Sequence, residues 1–376
     1  MREIIATGNE LVAMGAIDAG CEFFGGYPIT PSSEIAHELS TLLPKNGGVF
    51  MQMEDEIASI SAALGASMSG KKAMTASSGP GISLKAEQIG LGFIAEIPLV
   101  IVNVMRGGPS TGLPTRVAQG DILQAKNPTH GDINMIVLTP SNLNECYTKT
   151  IEAFNLAERF MTPVILLLDE SIAHMQAKAF LPEISEIKVQ NRAVFNGKSS
   201  DYLPYKADEN SPAVLNPFFK GYRYHITGLH HGASGFPTED AQIVEFNINR
   251  LFNKINSKSD EIFDYEKFML DDADICIIAY TSVALSAKAA VLNMRKRGIK
   301  VGVFILKTLF PLNAKILNDE LTKFKNVMIC ELNLGQYFGE ITKATLRDDI
   351  KTLLKANGRP ISPSEIEARI GEYYGV

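Results

Sequence analysis

Apolar and polar positions follow two rhythms along the first half of the chain. Short apolar-rich runs, "EFFGGYP", "GVFMQM", "KAMTA", "PLVIVNV", "INMIVLTP" and "PVILLLD", read as strands. Between them apolar residues recur at helical spacing: Leu11, Val12, Ala16 and Ile17 near the start, then Ile35, Leu39 and Leu42 after Pro31. A small-residue helix in "EIASISAALGASMSG", a helix through Ile94 and another over 142–159 complete the set. Continuous apolar strands alternating with helices predict a parallel sheet covered on both faces, here a first α/β domain over residues 1–175. Residues 176–270 break the rhythm. "NRAVFNGKSSDYLPYKADENSPAVLNP" is polar and turn-rich, so this stretch reads as a linker or inserted surface segment, closing with a charged helix around "IVEFNINRLFNKINSKSDE". From Asp271 the alternation resumes in "ADICIIAY", "SVALSAKAAVLNMRKRG", "KVGVFILK", "NAKILNDELTKF" and "NVMICEL", predicting a smaller α/β domain over 271–376.

The totals narrow the function class. With 376 residues and a net charge of −6, the chain has room for two or three cores and no basic stretch that would attract nucleic acid or anionic lipid. No run approaches the roughly 20 apolar residues of a membrane span, and the opening segment carries Glu3 and Glu10 in place of a signal-peptide core. Cys21, Cys146, Cys276 and Cys330 are scattered and form no C-x-x-C pair, so no zinc or iron–sulfur site is legible. Buried free thiols in a reducing cytoplasm are expected.

In open parallel sheets, ligands gather at the carboxyl ends of strands, and here each such end carries something polar or conformationally special. Thr30 follows "EFFGGYP", and Glu54, Asp55 and Glu56 follow "GVFMQM". Ser77, Ser78, Gly79 and Gly81 follow "KAMTA", and Arg106 follows "PLVIVNV" and opens the loop "GGPSTGLPTR". Thr30 and Pro31 suit the first positions of a helix, which would make the threonine an N-cap. Alternatively, Thr30 offers its hydroxyl to an anionic ligand. Glu54 and Asp55 complement a helix dipole, whereas Glu56 is drawn among Ile57, Ala58 and Ile60, where a carboxyl must be paired or shifted. "SSGPGISLK" lacks the third glycine of a dinucleotide loop, and "GASMSGKK" runs from helix into strand, the reverse of a P-loop. His37, His130 and the adjacent His230 and His231 advertise no ligand set.

Taken together and in this order, "GGYPITPSSEIAHEL", "MEDEIASISAALGAS", "KAMTASSGPGISL", "MRGGPSTGLPT", "HITGLHHGASG" and "ELNLGQ" resemble the alpha subunits of the 2-oxoacid:ferredoxin oxidoreductases. Among these the chain is most similar to the 2-oxoglutarate enzymes (2-oxoglutarate synthase). The resemblance implies a pyrimidine-binding domain for thiamine diphosphate followed by a transketolase C-terminal-like domain. It also implies a beta subunit holding the diphosphate, Mg2+ and an iron–sulfur cluster, with a gamma subunit and a ferredoxin-like delta subunit. By the same resemblance Glu56 faces the pyrimidine, selected over Glu54 by its nine-residue distance to Gly65. Thr30 touches the substrate, Arg106 grips the 2-oxoacid carboxylate, and Pro28, Ser78 and Gly79 line the cofactor. Arg116, close to Arg106 in sequence, is the candidate for the distal carboxylate of 2-oxoglutarate.

The implied reaction is oxidative decarboxylation of 2-oxoglutarate with CoA to succinyl-CoA, the electrons leaving singly to ferredoxin or a similar low-potential acceptor. Thiamine enzymes anchor the diphosphate and metal through "GDG". This chain has "GDI" at 120–122 and 131–133, which points to one subunit of a hetero-oligomer. Three other readings stand beside this one: the same machinery acting on pyruvate or a branched-chain 2-oxoacid, a non-catalytic scaffold subunit, and a stand-alone phosphate-binding α/β enzyme.

Overall fold

The computed structural model describes residues 1–376. In chain order its strands are β1 (Arg2–Thr7), β2 (Phe23–Gly26), β3 (Val49–Gln52), β4 (Ala73–Ser77), β5 (Leu99–Met105), β6 (Ile136–Leu138), β7 (Pro163–Asp169), β8 (Gln176–Leu181), β9 (Tyr265–Phe268), β10 (Ile275–Ala279), β11 (Val301–Leu306), β12 (Thr308–Phe310), β13 (Asn326–Glu331) and β14 (Lys351–Leu354). The larger sheet has the order β12-β6-β7-β5-β4-β2-β3 and is parallel except for its edge strand β12. Every residue of β4, β5, β6 and β7 is buried, as helices on both faces require. The smaller sheet, β14-β13-β10-β11-β9, is parallel apart from β9. The predicted α/β class and the succession of a large and a small parallel sheet are what the chain forms.

Local chemistry starts the helices where the sequence placed them. Thr7 and Glu10 form a reciprocal capping box for the helix Gly8–Asp18, and Ser362 with Glu365 does the same for Pro363–Tyr374. Asn142 caps Leu143–Phe160 and Asp240 caps Ala241–Asn256. One expectation fails here. The helix after β2 begins at Ser33, with Ser32 at its N-cap, and the Ser32 hydroxyl turns back to the Ile29 carbonyl (2.9 Å). Thr30 therefore caps nothing, and its exposed hydroxyl is left free at the end of β2.

The two sheets are interlocked. β12, from the second half of the chain, pairs antiparallel with β6 and so closes one edge of the first sheet. A single apolar cluster runs from Phe23, Ile101 and Ile165 through to Phe304, Leu306 and Ile329. Gln119 joins the two halves: its backbone N–H donates to the Leu332 carbonyl (2.9 Å), and its side chain accepts from Leu332 N (2.7 Å) while donating to the Tyr280 carbonyl (3.1 Å) and to Thr281.

The stretch 176–270 is fastened along its length. β8 forms an antiparallel ribbon with β1, and β9 already belongs to the smaller sheet. Arg192 makes two bonds to the Glu158 carboxylate (2.9 and 2.6 Å) and a third to the Ser67 carbonyl (2.8 Å). The rings of Tyr202, Tyr222, Tyr224, Phe195 and Phe218 pack on one another in tilted and edge-to-face contacts. Beneath them Glu96 is fully buried between Arg250 and Lys254 and accepts from Ala213 N (3.0 Å). Contacts of this kind join residues far apart in sequence, so they leave no periodic signal.

Candidate active site

β5, β4, β2 and β3 are neighbours in the sheet, and their carboxyl ends release every candidate side chain on one edge. β2 leads through Pro28 to Thr30, β3 to Glu56, β4 to Ser78 and Gly79, and β5 directly to Arg106. Asp55 caps the helix Glu56–Met68 by accepting from Ala58 N (2.7 Å). That cap turns Glu56, the first helical residue, inward to 7% exposure, while Glu54 and Asp55 stay exposed.

Glu56 and the turn after β4 fit one another closely. A Cβ on Gly81 would stand 2.2 Å from Ser77 Oγ and 2.7 Å from Glu56 Oε1, so only glycine admits the carboxyl over this turn. Gly79 has φ +39°, a conformation that side chains other than glycine's seldom adopt. The Glu56 carboxylate forms no hydrogen bond or ion pair within the chain, and the buried Ser77 and Ser78 hydroxyls also lack partners. Buried polar atoms left unpaired cost free energy unless a ligand or water completes them. A cradle holding an acid and two free hydroxyls fits a flat, polar heteroaromatic ring such as the pyrimidine of thiamine diphosphate.

Arg106 is 6% exposed. Its guanidinium donates to the Thr30 carbonyl (2.6 Å) and the Thr111 carbonyl (3.3 Å), leaving Nε without a partner. Nε lies 3.8 Å from where a Gly79 Cβ would stand, so the arginine borders the same turn. Behind it, Asn103 donates to Asp121 (3.0 Å). Burial raises the Asp121 carboxyl pKa, against the opposing pull of the Asn103 bond and the Arg106 charge. A buried cation beside a free hydroxyl can hold a carboxylate and orient it toward the Glu56 cradle.

The structure thus brings Glu56, Ser78, Gly79, Arg106 and the Thr30 carbonyl to one turn. Pro28 is exposed two residues upstream of Thr30. Arg116 is also exposed, and the loop places it beside the site by backbone alone, its carbonyl accepting from Gly107 N (2.9 Å).

Sequence reasoning missed Lys85. It is fully buried and donates to the Glu56 carbonyl (3.1 Å), Ser59 Oγ (2.6 Å) and Thr75 Oγ1 (3.2 Å), pinning the helix turn that carries the acid. Burial lowers its pKa to about 8, and the charges of Glu56 and Asp55 offset part of that fall. Lys85 closes the quoted run "SSGPGISLK", but nothing in spacing distinguishes a buried lysine from a solvated one. His231 packs its ring 4.0 Å from that of Tyr205 and bonds the Leu229 carbonyl, a structural role. All four cysteines are buried and free, and burial pushes each thiol pKa upward.

Comparison with known proteins gives the arrangement a context. Residues 14–249 match the family described as pyruvate flavodoxin/ferredoxin oxidoreductase, thiamine diphosphate-binding. Residues 273–366 match the pyruvate:ferredoxin oxidoreductase core domain II. 2-Oxoglutarate synthase subunit KorA of Methanothermobacter marburgensis is 40% identical over 98% of this chain and 98% of its own length. That of Methanocaldococcus jannaschii is 42% identical over 96% and 98%. Ketoisovalerate oxidoreductase subunit VorB of M. marburgensis is 34% identical over 98% and 97%. The solved 2-oxoglutarate:ferredoxin oxidoreductase from Magnetococcus marinus, with 2-oxoglutarate, coenzyme A and succinyl-CoA bound, superposes with a TM-score of 0.93 at 36% identity. The match covers 98% of this chain and 65% of that longer one. A split-gene transketolase shares the fold, with a TM-score of 0.52 at 13% identity over 97% of this chain and 95% of its own.

Proposed function

Because the chain belongs to the pyruvate flavodoxin/ferredoxin oxidoreductase family, we propose that it is the alpha subunit of a 2-oxoglutarate:ferredoxin oxidoreductase. The complex converts 2-oxoglutarate and CoA to succinyl-CoA and carbon dioxide in the cytoplasm and passes electrons to ferredoxin or a similar acceptor. The observation that carries this reading is the buried, unengaged Glu56 carboxyl over Gly81, one turn away from Arg106.

When bound, thiamine diphosphate would supply a carbon nucleophile and an electron sink for the decarboxylation of a 2-oxoacid. Glu56 would hold and exchange a proton at the pyrimidine ring. Ser78, Gly79 and Pro28 border the ring, and Lys85 keeps the Glu56 turn in place from below. Arg106 neutralises the 2-oxo carboxylate, the Thr30 hydroxyl contacts the substrate, and Arg116 serves the distal carboxylate.

The diphosphate, Mg2+ and an iron–sulfur cluster fall to a beta subunit, and gamma and ferredoxin-like delta subunits complete the assembly. Exposed apolar side chains at Tyr27, Ile57, Leu84, Leu113 and Leu123 lie on the same segments as the site residues and support a partner closing over its open face. The 34% identity to the ketoisovalerate subunit keeps a branched-chain 2-oxoacid as the second reading.

Purification of the native complex, with thiamine and iron analysis and 2-oxoacid competition, tests the proposal. Thiamine diphosphate and iron are expected only when partner chains co-purify, with preference for 2-oxoglutarate. Preference for an aliphatic 2-oxoacid refutes the substrate, and turnover by the chain alone refutes the shared site.

A further inference from the structure

One short helix meets Glu56 at two points. The helix Pro80–Leu84 carries Gly81, whose Cβ would stand 2.7 Å from Glu56 Oε1, and it closes on Lys85, whose ammonium donates to the Glu56 carbonyl (3.1 Å). Residues four apart share a helix face, so the glycine at the carboxyl and the lysine at the carbonyl act from the same side. The Lys85 backbone is itself fixed: its N–H donates to the Ile82 carbonyl (3.0 Å), and its carbonyl accepts from Ile89 N (3.0 Å). Ser59 Oγ donates to the same Glu56 carbonyl (2.9 Å) while accepting from Lys85 (2.6 Å), and Thr75 Oγ1 takes the third ammonium bond (3.2 Å).

Lys85, Ser59 and Thr75 are all fully buried, and none of the three acceptors is an anion. A buried cation without an ion-pair partner is costly, and an apolar side chain of similar length would fill the place without that cost. Three acceptors match the three N–H bonds of an ammonium, whereas a neutral amine has two. The constellation therefore suits the charged form. The charges that act on it are Glu56 and Asp55, at the start of the facing helix; β4 presents Thr75, and Glu87, on the helix after Lys85, is exposed. Burial lowers the ammonium pKa to about 8 against the pull of those two carboxylates, so the charge is present at neutral pH and is lost in mildly alkaline solution.

Resting on the reading of Glu56 as the acid that faces the cofactor ring, we propose that Lys85 is a positioning residue whose ammonium form locks the Glu56 turn in its working place. When the amine loses its proton, one of the three bonds goes unmade, the turn loosens and the carboxyl leaves its seat over Gly81. Activity then has an alkaline ceiling set by a lysine that touches neither substrate nor cofactor.

The test compares the reconstituted complex of wild type, Lys85→Met and Lys85→Arg between pH 6 and 10. Wild-type kcat should fall above about pH 8 toward the level of Lys85→Met. At neutral pH Lys85→Met should lower kcat by about 10- to 100-fold, the cost of a misplaced catalytic group, with KM for 2-oxoglutarate within about twofold. Lys85→Arg, charged throughout, should recover part of the loss and show no alkaline fall. Urea unfolding of the full chain gives a readout apart from turnover. A lysine with a lowered folded pKa costs stability in full below that value, and the cost fades as pH rises from about 8 toward the unfolded value. Wild type should therefore gain stability relative to Lys85→Met across that window. A wild-type kcat level to pH 10, a Lys85→Met kcat within about threefold, an alkaline fall that persists in Lys85→Arg, or a stability difference independent of pH would each overturn the assignment. The wild-type profile decides even where a variant fails to assemble. If the wild-type complex shows no thiamine-dependent turnover of any 2-oxoacid, the proposed function fails first, and the unfolding series still tests the state of Lys85.

Discussion

Glu56→Gln is the substitution on which the proposed chemistry turns. The glutamine is nearly isosteric and fits over Gly81, where a Cβ would have stood 2.7 Å from Oε1. The carboxylate has no partner in the chain, and the Glu56 carbonyl still accepts from Lys85, so the change strands no buried group. Folding stability should therefore move by no more than about 1 kcal/mol. Catalysis should suffer far more, because an amide cannot exchange a proton with the pyrimidine. Loss of an acid–base group costs about 10²- to 10⁴-fold in turnover, or about 3–5 kcal/mol of barrier. KM for 2-oxoglutarate should hardly change, since Arg106 is untouched. The assay is CoA-dependent reduction of a low-potential dye by the reconstituted complex at saturating thiamine diphosphate, with deuterium exchange at the thiazolium carbon followed in parallel. Turnover within a few-fold of wild type, or unchanged exchange, would refute the role of Glu56 and favour a scaffold subunit.

Three further outcomes follow from the same geometry. Gly81→Ala, whose Cβ would stand 2.2 Å from Ser77 Oγ, should displace the Glu56 carboxyl and cut turnover at least about 100-fold while circular dichroism stays native; retention of a third of the activity would contradict the cradle. Glu96→Gln leaves Arg250 and Lys254 buried without their anion and should cost about 3–5 kcal/mol in urea unfolding, much of it recovered by adding Lys254→Met; an unchanged midpoint would show that the triad does not hold the 190–250 segment. The hydrogen-bonded Glu170 carboxylate raises the pKa of His174 against the cost of burial, and Glu34 adds to the rise. The stabilisation from this folded-state shift is therefore complete below the ordinary histidine value near pH ~6.5 and fades as pH rises through the higher folded value. Melting temperatures of wild type and His174→Gln should accordingly converge at alkaline pH, and a gap independent of pH would exclude the linkage.

The division of labour between sequence and fold can be read residue by residue. Apolar runs of strand length alternating with 3.6-residue periodicity are local signals, and they determined β2 to β7, β10, β11 and β13, the helices between them and the parallel class. Strand ends are local too, which is why Thr30, Glu56, Ser78, Gly79 and Arg106 were legible as candidates before any contact was known. The cap at Thr30 was misjudged because Ser32, Ser33 and Thr30 are all good caps, and only the path of the backbone chooses among them. The tertiary structure alone decided that Glu56 turns inward over Gly81, that Lys85 supports it from below, and that 176–270 is fastened by Arg192, Glu96 and a cluster of packed aromatics. It also decided that β12 crosses to the larger sheet and that Gly358 arrives against Leu113 and Arg116. Each of these is a pairing between residues far apart in the chain, whose free energy depends on distance and on exclusion of water, and neither quantity is written in the order of the residues.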